Sequence, residues 1–215
     1  ATFFLTGAAD HGATWLWMDF LDVDTRLAPP KIDVGGRLFY KKKWRRTQYF
    51  MDADGRRLVD WARHSPWSFV QKMEKAFIEA GAWERAETLS EYWALLSSPE
   101  IKQLTDSPYV SIGAHGYTHQ DLAYLPLEEA IRELFDCKTV LEKISRKPVD
   151  ALAYPFGAYT PALLDAAEKM GFTKQLAVDF IFPNDQADQR LRERLTINPY
   201  ISRANQWLAV KHGRY

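Results

Sequence analysis

The sequence predicts an α/β fold with a mainly parallel sheet, and three observations lead to it. After about residue 98, short apolar runs alternate with amphipathic helical stretches, the signature of strand–helix–strand units. One of those runs, Tyr109–Ala114, alternates, carries β-branched residues and reads as a buried strand. It is followed at once by His115-Gly116-Tyr117-Thr118-His119, which puts two imidazoles at a strand's C-terminal end. That is the face on which parallel α/β barrels build their active sites. Residues 31–61 break the pattern with hairpin signals and read as an insertion carried on the main domain.

In chain order, Thr2–Thr6 is β-rich and ends at Gly7, followed by a loop that contains Asp10 and His11. Trp15, Leu16, Met18, Phe20 and Leu21 form an aromatic helical segment that Pro29-Pro30 ends. Lys31–Val34 and Arg37–Tyr40 flank Gly35-Gly36, a hairpin signal. A second hairpin is expected from Trp44–Met51 and Arg56–Trp61 around Asp52-Ala53-Asp54-Gly55. Ser65-Pro66 opens a helix that Gly81 stops, a second helix is expected over Glu84–Leu96, and Ser98-Pro99-Glu100 opens a third. Pro126 opens the longest helix, with Glu128 and Glu129 in its first turn and Lys143, Arg146 and Lys147 near its last, as the macrodipole prefers. Pro148 terminates it. Ala151–Tyr154 reads as a buried strand ending at Pro155-Phe156-Gly157, Thr160-Pro161 caps the next helix, and Met170-Gly171-Phe172 closes it. Gln175–Val178 and Leu195–Ile197 are further strands, and Gln206–Lys211 a terminal helix.

The 215 residues suit one domain of ordinary size, and 47% hydrophobic with 26% charged residues is a normal globular balance. Lys+Arg and Asp+Glu are both 28, so net charge offers no case for nucleic acid or an anionic membrane as partner. The single cysteine, Cys137, excludes an internal disulfide and reads as a small core residue on the apolar side of its helix. No run approaches the length of a membrane span. The apolar segment Ala1–Ala9 has no basic residue before it and is not read as a signal peptide. The sequence opens inside a strand where an α/β fold normally has a preceding β–α unit, so a strand is expected upstream.

Two stretches carry candidate chemistry. Neutral imidazole is a common ligand for zinc and other first-row metals, and a strand end turning at Gly116 can bring His115 and His119 to one ion. The alternative is a pair of surface histidines in a polar loop. Lys41-Lys42-Lys43-Trp44-Arg45-Arg46 interleaves basic and aromatic residues, as a nucleic-acid-binding module would. The alternative there is a solvated hairpin edge whose lysines discourage sheet pairing, and zero net charge favours it.

The order Ala1–Gly7, then Ile112-Gly113-Ala114-His115-Gly116-Tyr117-Thr118-His119-Gln120-Asp121-Leu122, then Ala153-Tyr154-Pro155-Phe156-Gly157-Ala158-Tyr159 resembles the polysaccharide deacetylase (NodB homology) family. The resemblance implies a distorted, incompletely closed (β/α) barrel over residues 1–215 as a single domain, with an aromatic-rich insertion at about 16–97. It implies a carbohydrate substrate from which acetyl groups are removed, and a divalent metal, commonly zinc, held by His115 and His119. Tyr154, Pro155, Phe156 and Gly157 match the substrate-binding turn, with Phe156 as the backbone donor to the oxyanion. The family's third ligand and its general base come from a first-strand Asp-Asp motif that no aspartate here matches. The motif arginine is Ala153, and Asn198 stands where an acid histidine would. A carbohydrate-binding relative without turnover, using Tyr117, Tyr154, Phe156 and Tyr159 as a sugar platform, is therefore the second expectation.

Overall fold

The structure is a computed structural model, and it describes residues 1–11, 15–83, 93–194 and 201–212. Its larger sheet holds five parallel strands in the order β1-β5-β6-β7-β8, where β1 is Thr2–Leu5, β5 Ser111–Ala114, β6 Ala151–Ala153, β7 Lys174–Ala177 and β8 Leu191–Glu193. Phe3 pairs with Ile112 and Leu5 with Ala114, so the two strands that precede the Gly7 loop and the His pair end side by side. Among the described residues the sheet is open, with β1 and β8 at its edges. This is the parallel α/β arrangement that the alternation of strands and helices predicts.

Helix α5 (Leu127–Ser145) covers this sheet, with α4 (Ser98–Thr105) and α6 (Pro161–Lys169) beside it. Its Ala130, Leu134, Cys137 and Leu141 recur at helical spacing, are fully buried, and pack with Ala114, Leu152 and Phe172 in one core. Cys137 is part of that core, and burial pushes its thiol up to about 12, as a packing residue rather than a nucleophile. Helix α4 starts where Ser98-Pro99-Glu100 is expected to open it, and its N-cap is Ser97, whose backbone N–H donates to the Glu100 carboxylate at 2.8 Å in a capping box. Thr160 accepts from Leu163 N–H to cap α6.

A second core is aromatic. Helix α1 (Trp17–Leu27), the short α2 (Leu58–Arg63) and α3 (Trp67–Glu79) pack Trp17, Phe20, Leu58, Met73 and Phe77 against Ile32, Phe39 and Phe50 of a three-stranded antiparallel sheet. That sheet is β2 (Lys31–Val34), β3 (Arg37–Trp44) and β4 (Thr47–Met51), in that order. Gly35 and Gly36, at φ +63 and +89, form the expected turn. The second hairpin differs from expectation. An additional turn falls at Arg45-Arg46, with Arg45 at φ +54, while the expected turn at Asp52–Gly55 is present, closed by Asp52 N–H donating to Arg56 O at 3.0 Å with Gly55 at φ +84. Residues 56–61 do not return as a strand; one bridge, Met51 to Arg57, is followed by α2. The reason is packing: Leu58 and Ala62 lie one helical turn apart and both are buried in the aromatic core. Lys42 and Lys43 are exposed as expected, but Lys41 lies on the inner face, where its ammonium donates to the carbonyls of Arg26 and Ala28 at the C-terminus of α1.

Strand β8 is too short and polar to have been legible. The expected Leu195–Ile197 strand, Asn198 and most of the Glu84–Leu96 helix lie outside the described residues. The terminal helix α7 (Arg203–His212) begins three residues earlier than expected. Among the described residues no helix is long and apolar enough to cross a membrane.

Candidate active site

His115 sits where β5 ends. Its N–H still donates to Leu5 O at 2.9 Å, so the parallel ladder runs into the loop and holds the backbone there. Its Nδ1 lies 2.6 Å from Ala153 O at the end of β6. A carbonyl oxygen only accepts, so Nδ1 carries the proton and Nε2 keeps a free lone pair. His119 is almost fully buried, with its backbone at φ +62. The two rings meet edge to face, centroids 4.7 Å apart. Burial lowers the proton affinity of both: it moves His119 down to about 4, helped by His115 alongside, and His115 in the same direction. Both imidazoles are therefore neutral near pH 7. His119 Nδ1 is buried with no hydrogen-bond partner.

A single carboxylate builds the loop that carries the pair. Glu133 of α5 accepts from the N–H groups of Tyr117 and Thr118, both at 2.9 Å, and from the Thr118 hydroxyl at 2.8 Å. Gly116 turns the chain at φ +74; a side chain there would stand 3.2 Å from Pro155. The aromatic unit closes over the loop from the other side. Trp17 Nε1 donates to His119 O at 3.2 Å, Gln120 Nε2 donates to Ser65 O at 3.0 Å, and Arg63 pairs with the fully buried Asp121.

The Pro155-Phe156-Gly157 turn lies next to the pair. Phe156 adopts φ +58, and its ring is 5.1 Å from that of His119 and 6.3 Å from that of Trp17. The expected aromatic platform is not assembled. Tyr154 and Tyr159 are fully buried in the core beside Leu163 and Phe172, their hydroxyls spent on Gln175 and Asp185. Tyr117 and Phe156 stay partly accessible. Asp10 is exposed, and its contact is the Tyr117 hydroxyl at 3.5 Å.

Four supporting residues were missed from sequence: Trp17, Arg63, Glu133 and Arg194. Arg194 follows β8 and donates to Tyr154 O at 3.1 Å and Ala177 O at 3.2 Å, which places its charge near the pair and further disfavours protonated histidine. None sits in a recognisable motif; each reaches the site through tertiary contact.

The donor chemistry suits a divalent metal at this point. Two neutral imidazoles stand together, one with its tautomer set by a carbonyl and the other with a buried unpartnered nitrogen. Among the described residues no third His, Cys, Asp or Glu gathers with them.

Comparison with known proteins agrees with the resemblance. The family model described as polysaccharide deacetylase matches residues 59–174, just over half of the chain. The match enters at Val59, inside the segment expected as an insertion. No curated protein matches in sequence. Among solved structures, a Streptococcus pyogenes deacetylase in complex with acetate is 23% identical, with 54% of this chain and 50% of that one covered and a TM-score of 0.48. A Bacillus cereus polysaccharide deacetylase is 29% identical over 54% and 36% of the two chains, TM-score 0.46. A Bacillus anthracis CE4-family pseudoenzyme is 20% identical over 36% and 27%, TM-score 0.35. The matched regions span half or less of each of these structures.

Proposed function

Because the chain belongs to the polysaccharide deacetylase family, we propose that it acts as a metal-dependent hydrolase that removes acetyl groups from a polysaccharide or amino-sugar substrate. One observation carries the reading: His115 and His119, both neutral, meet with centroids 4.7 Å apart at the C-terminal end of a parallel strand, beside the Phe156 turn. On this reading residues 16–97 are an insertion on a single domain.

His115 and His119 hold the metal, zinc in this proposal. When bound, zinc supplies Lewis-acid polarisation of the acyl carbonyl and acidification of the attacking water. Ala153 O keeps the His115 proton on Nδ1 and so keeps Nε2 available as a ligand. Phe156 N–H donates to the oxyanion. Tyr154 N is committed to Leu176 O at 3.0 Å, Pro155 has no N–H, and Gly157 N goes to Tyr154 O at 2.9 Å. Phe156 is the donor the turn leaves over. Burial by Trp17 and the Phe156 ring keeps water away from one side of the pair, which strengthens each of these interactions.

A second reading has one observation behind it. With no third ligand gathered among the described residues, the chain would bind its carbohydrate without turning it over. Calorimetric zinc titration of the wild type, His115→Ala and His119→Ala, with acetate release from N-acetylated amino-sugar oligomers measured alongside, separates the two. Each alanine variant should lose at least about tenfold in zinc affinity. Equal affinity in wild type and variants overturns the metal site. Zinc binding without acetate release selects the second reading.

A further inference from the structure

The outward face of the β2–β3–β4 sheet is unlike the rest of the surface. Strand alternation and register place Lys31, Tyr40 and Met51 in one row across it, Lys42 beside Tyr49 in the next, and Trp44 beside Thr47 in the last. Lys31, Tyr40, Lys42 and Trp44 are exposed, Trp44 by 63%. Arg45 and Arg46 form the turn at its end, and the Arg45 guanidinium lies 4.6 Å from the Trp44 ring centroid.

Charge makes this face specific. Five arginines elsewhere are paired with acids: Arg26 with Asp22, Arg37 with Asp52, Arg57 with Asp60, Arg63 with Asp121 and Arg190 with Asp188. Among the described residues, Lys31, Lys42, Arg45 and Arg46 have no acidic partner. The chain as a whole is neutral, so this is a local surplus. The one carboxylate on the face, Asp33, accepts from Gly36 N–H at 2.7 Å. Arg45 is also held at φ +54, a conformation that glycine or asparagine adopts more easily. Turn stability alone would not favour arginine there.

We propose that this face is a docking surface for an acidic polysaccharide, a glycan whose sugar rings carry carboxylate or phosphate. Tyr40, Lys42 and Trp44 follow one another along one side of β3 at about 6.5–7 Å, alternating ring and cation. Apolar faces of pyranose rings stack on the aromatics, while the anionic substituents pair with Lys31, Lys42, Arg45 and Arg46. The choice of a glycan over another polyanion rests on the family reading and on the absence of net positive charge. A corollary concerns the product. Loss of an N-acetyl group leaves an amine that is protonated at neutral pH, so this face holds acidic or acetylated chain and repels a fully deacetylated one.

Binding is measured by calorimetry with the intact chain, without zinc and without following turnover, so the outcome is independent of the deacetylase reading. The probes are polygalacturonate, a phosphodiester-linked glycan polymer, neutral glucan, fully deacetylated glucosamine polymer and single-stranded poly(dT). The expected result is salt-dependent binding of the carboxylate or the phosphate glycan, with neutral glucan at least tenfold weaker and the glucosamine polymer not bound. Which of the two acidic glycans binds more tightly identifies the anionic group. Trp44→Ala should weaken binding about tenfold, and Lys42→Gln should flatten its salt dependence. Arg45→Gly should raise the melting temperature by relieving the turn while weakening binding, a combination that unfolding cannot produce. Unchanged affinity in all three variants, or no binding of either acidic glycan, overturns the proposal. Tighter binding of poly(dT) than of either glycan assigns the face to nucleic acid and overturns it too.

Discussion

The Arg63 guanidinium lies 2.6 Å from the Asp121 carboxylate and 4.3 Å from the centre of the Phe156 ring. One side chain from the aromatic unit thus joins the loop that carries His119 to the turn that carries the proposed oxyanion donor. Asp121 is completely buried, and Arg63 is its ion-pair partner. Arg63→Ala should destabilise the protein by about 2–3 kcal/mol, less than for a fully buried pair because Arg63 is itself partly exposed. Adding Asp121→Asn should recover part of that loss, since the stranded charge is then gone. Urea unfolding of the three variants checks this; a double variant less stable than Arg63→Ala alone contradicts it.

Glu133 satisfies three donors of the His loop at once. Glu133→Ala leaves two backbone N–H groups and a hydroxyl without their acceptor. The expected cost is about 2–4 kcal/mol, with zinc affinity falling as His119 loses its fixed position. Glu133→Gln keeps an acceptor oxygen and should cost less. Equal losses in the two variants would show that the carboxylate acts by charge and not as a template.

Asp24 of α1 is fully buried, neither carboxylate oxygen has a partner, and burial pushes its pKa up to about 7. The folded state then holds a proton that the unfolded state releases near pH 4. Asp24 therefore costs nothing extra below that pH. Its penalty grows as pH rises from about 4 to 7 and is complete above 7. Asp24→Asn should raise the melting temperature at pH 8, by an amount corresponding to a few kcal/mol, and have little effect at pH 4. A pH-independent difference between wild type and variant would sink the assignment.

Gly116 combines φ +74 with close neighbours in Pro155 and the Glu133 carboxylate. Gly116→Ala should cost about 1–2 kcal/mol and shift the His115 loop, lowering zinc affinity in the same titration. Full zinc affinity in a destabilised variant would separate the turn from the site.

Much of the site's position was legible before any coordinates. The β-branched run before His115, the capping signals of α4 and α6, and the helical periodicity of α5 are local, and local rules predict them. What failed to read was decided by packing. Arg56–Trp61 has strand-like flanks but folds as a helix because Leu58 and Ala62 fill the aromatic core. Lys41 belongs to a run of lysines, yet strand alternation turns it inward onto the carbonyls of α1.

By itself the sequence determined that strands and helices alternate, that two imidazoles follow a buried strand, and that a proline-led turn follows the next one. Each depends on chemistry within a few residues. Only the tertiary structure decided which atoms meet: that Ala153 O sets the tautomer of His115, that Trp17 holds the carbonyl of His119, and that Arg63 ties Asp121 to Phe156. These partners lie 38, 102 and 58 residues apart for the three hydrogen bonds. Hydrophobic burial, which is non-directional, brings such segments together, and no pattern within one segment encodes which groups it will place in contact.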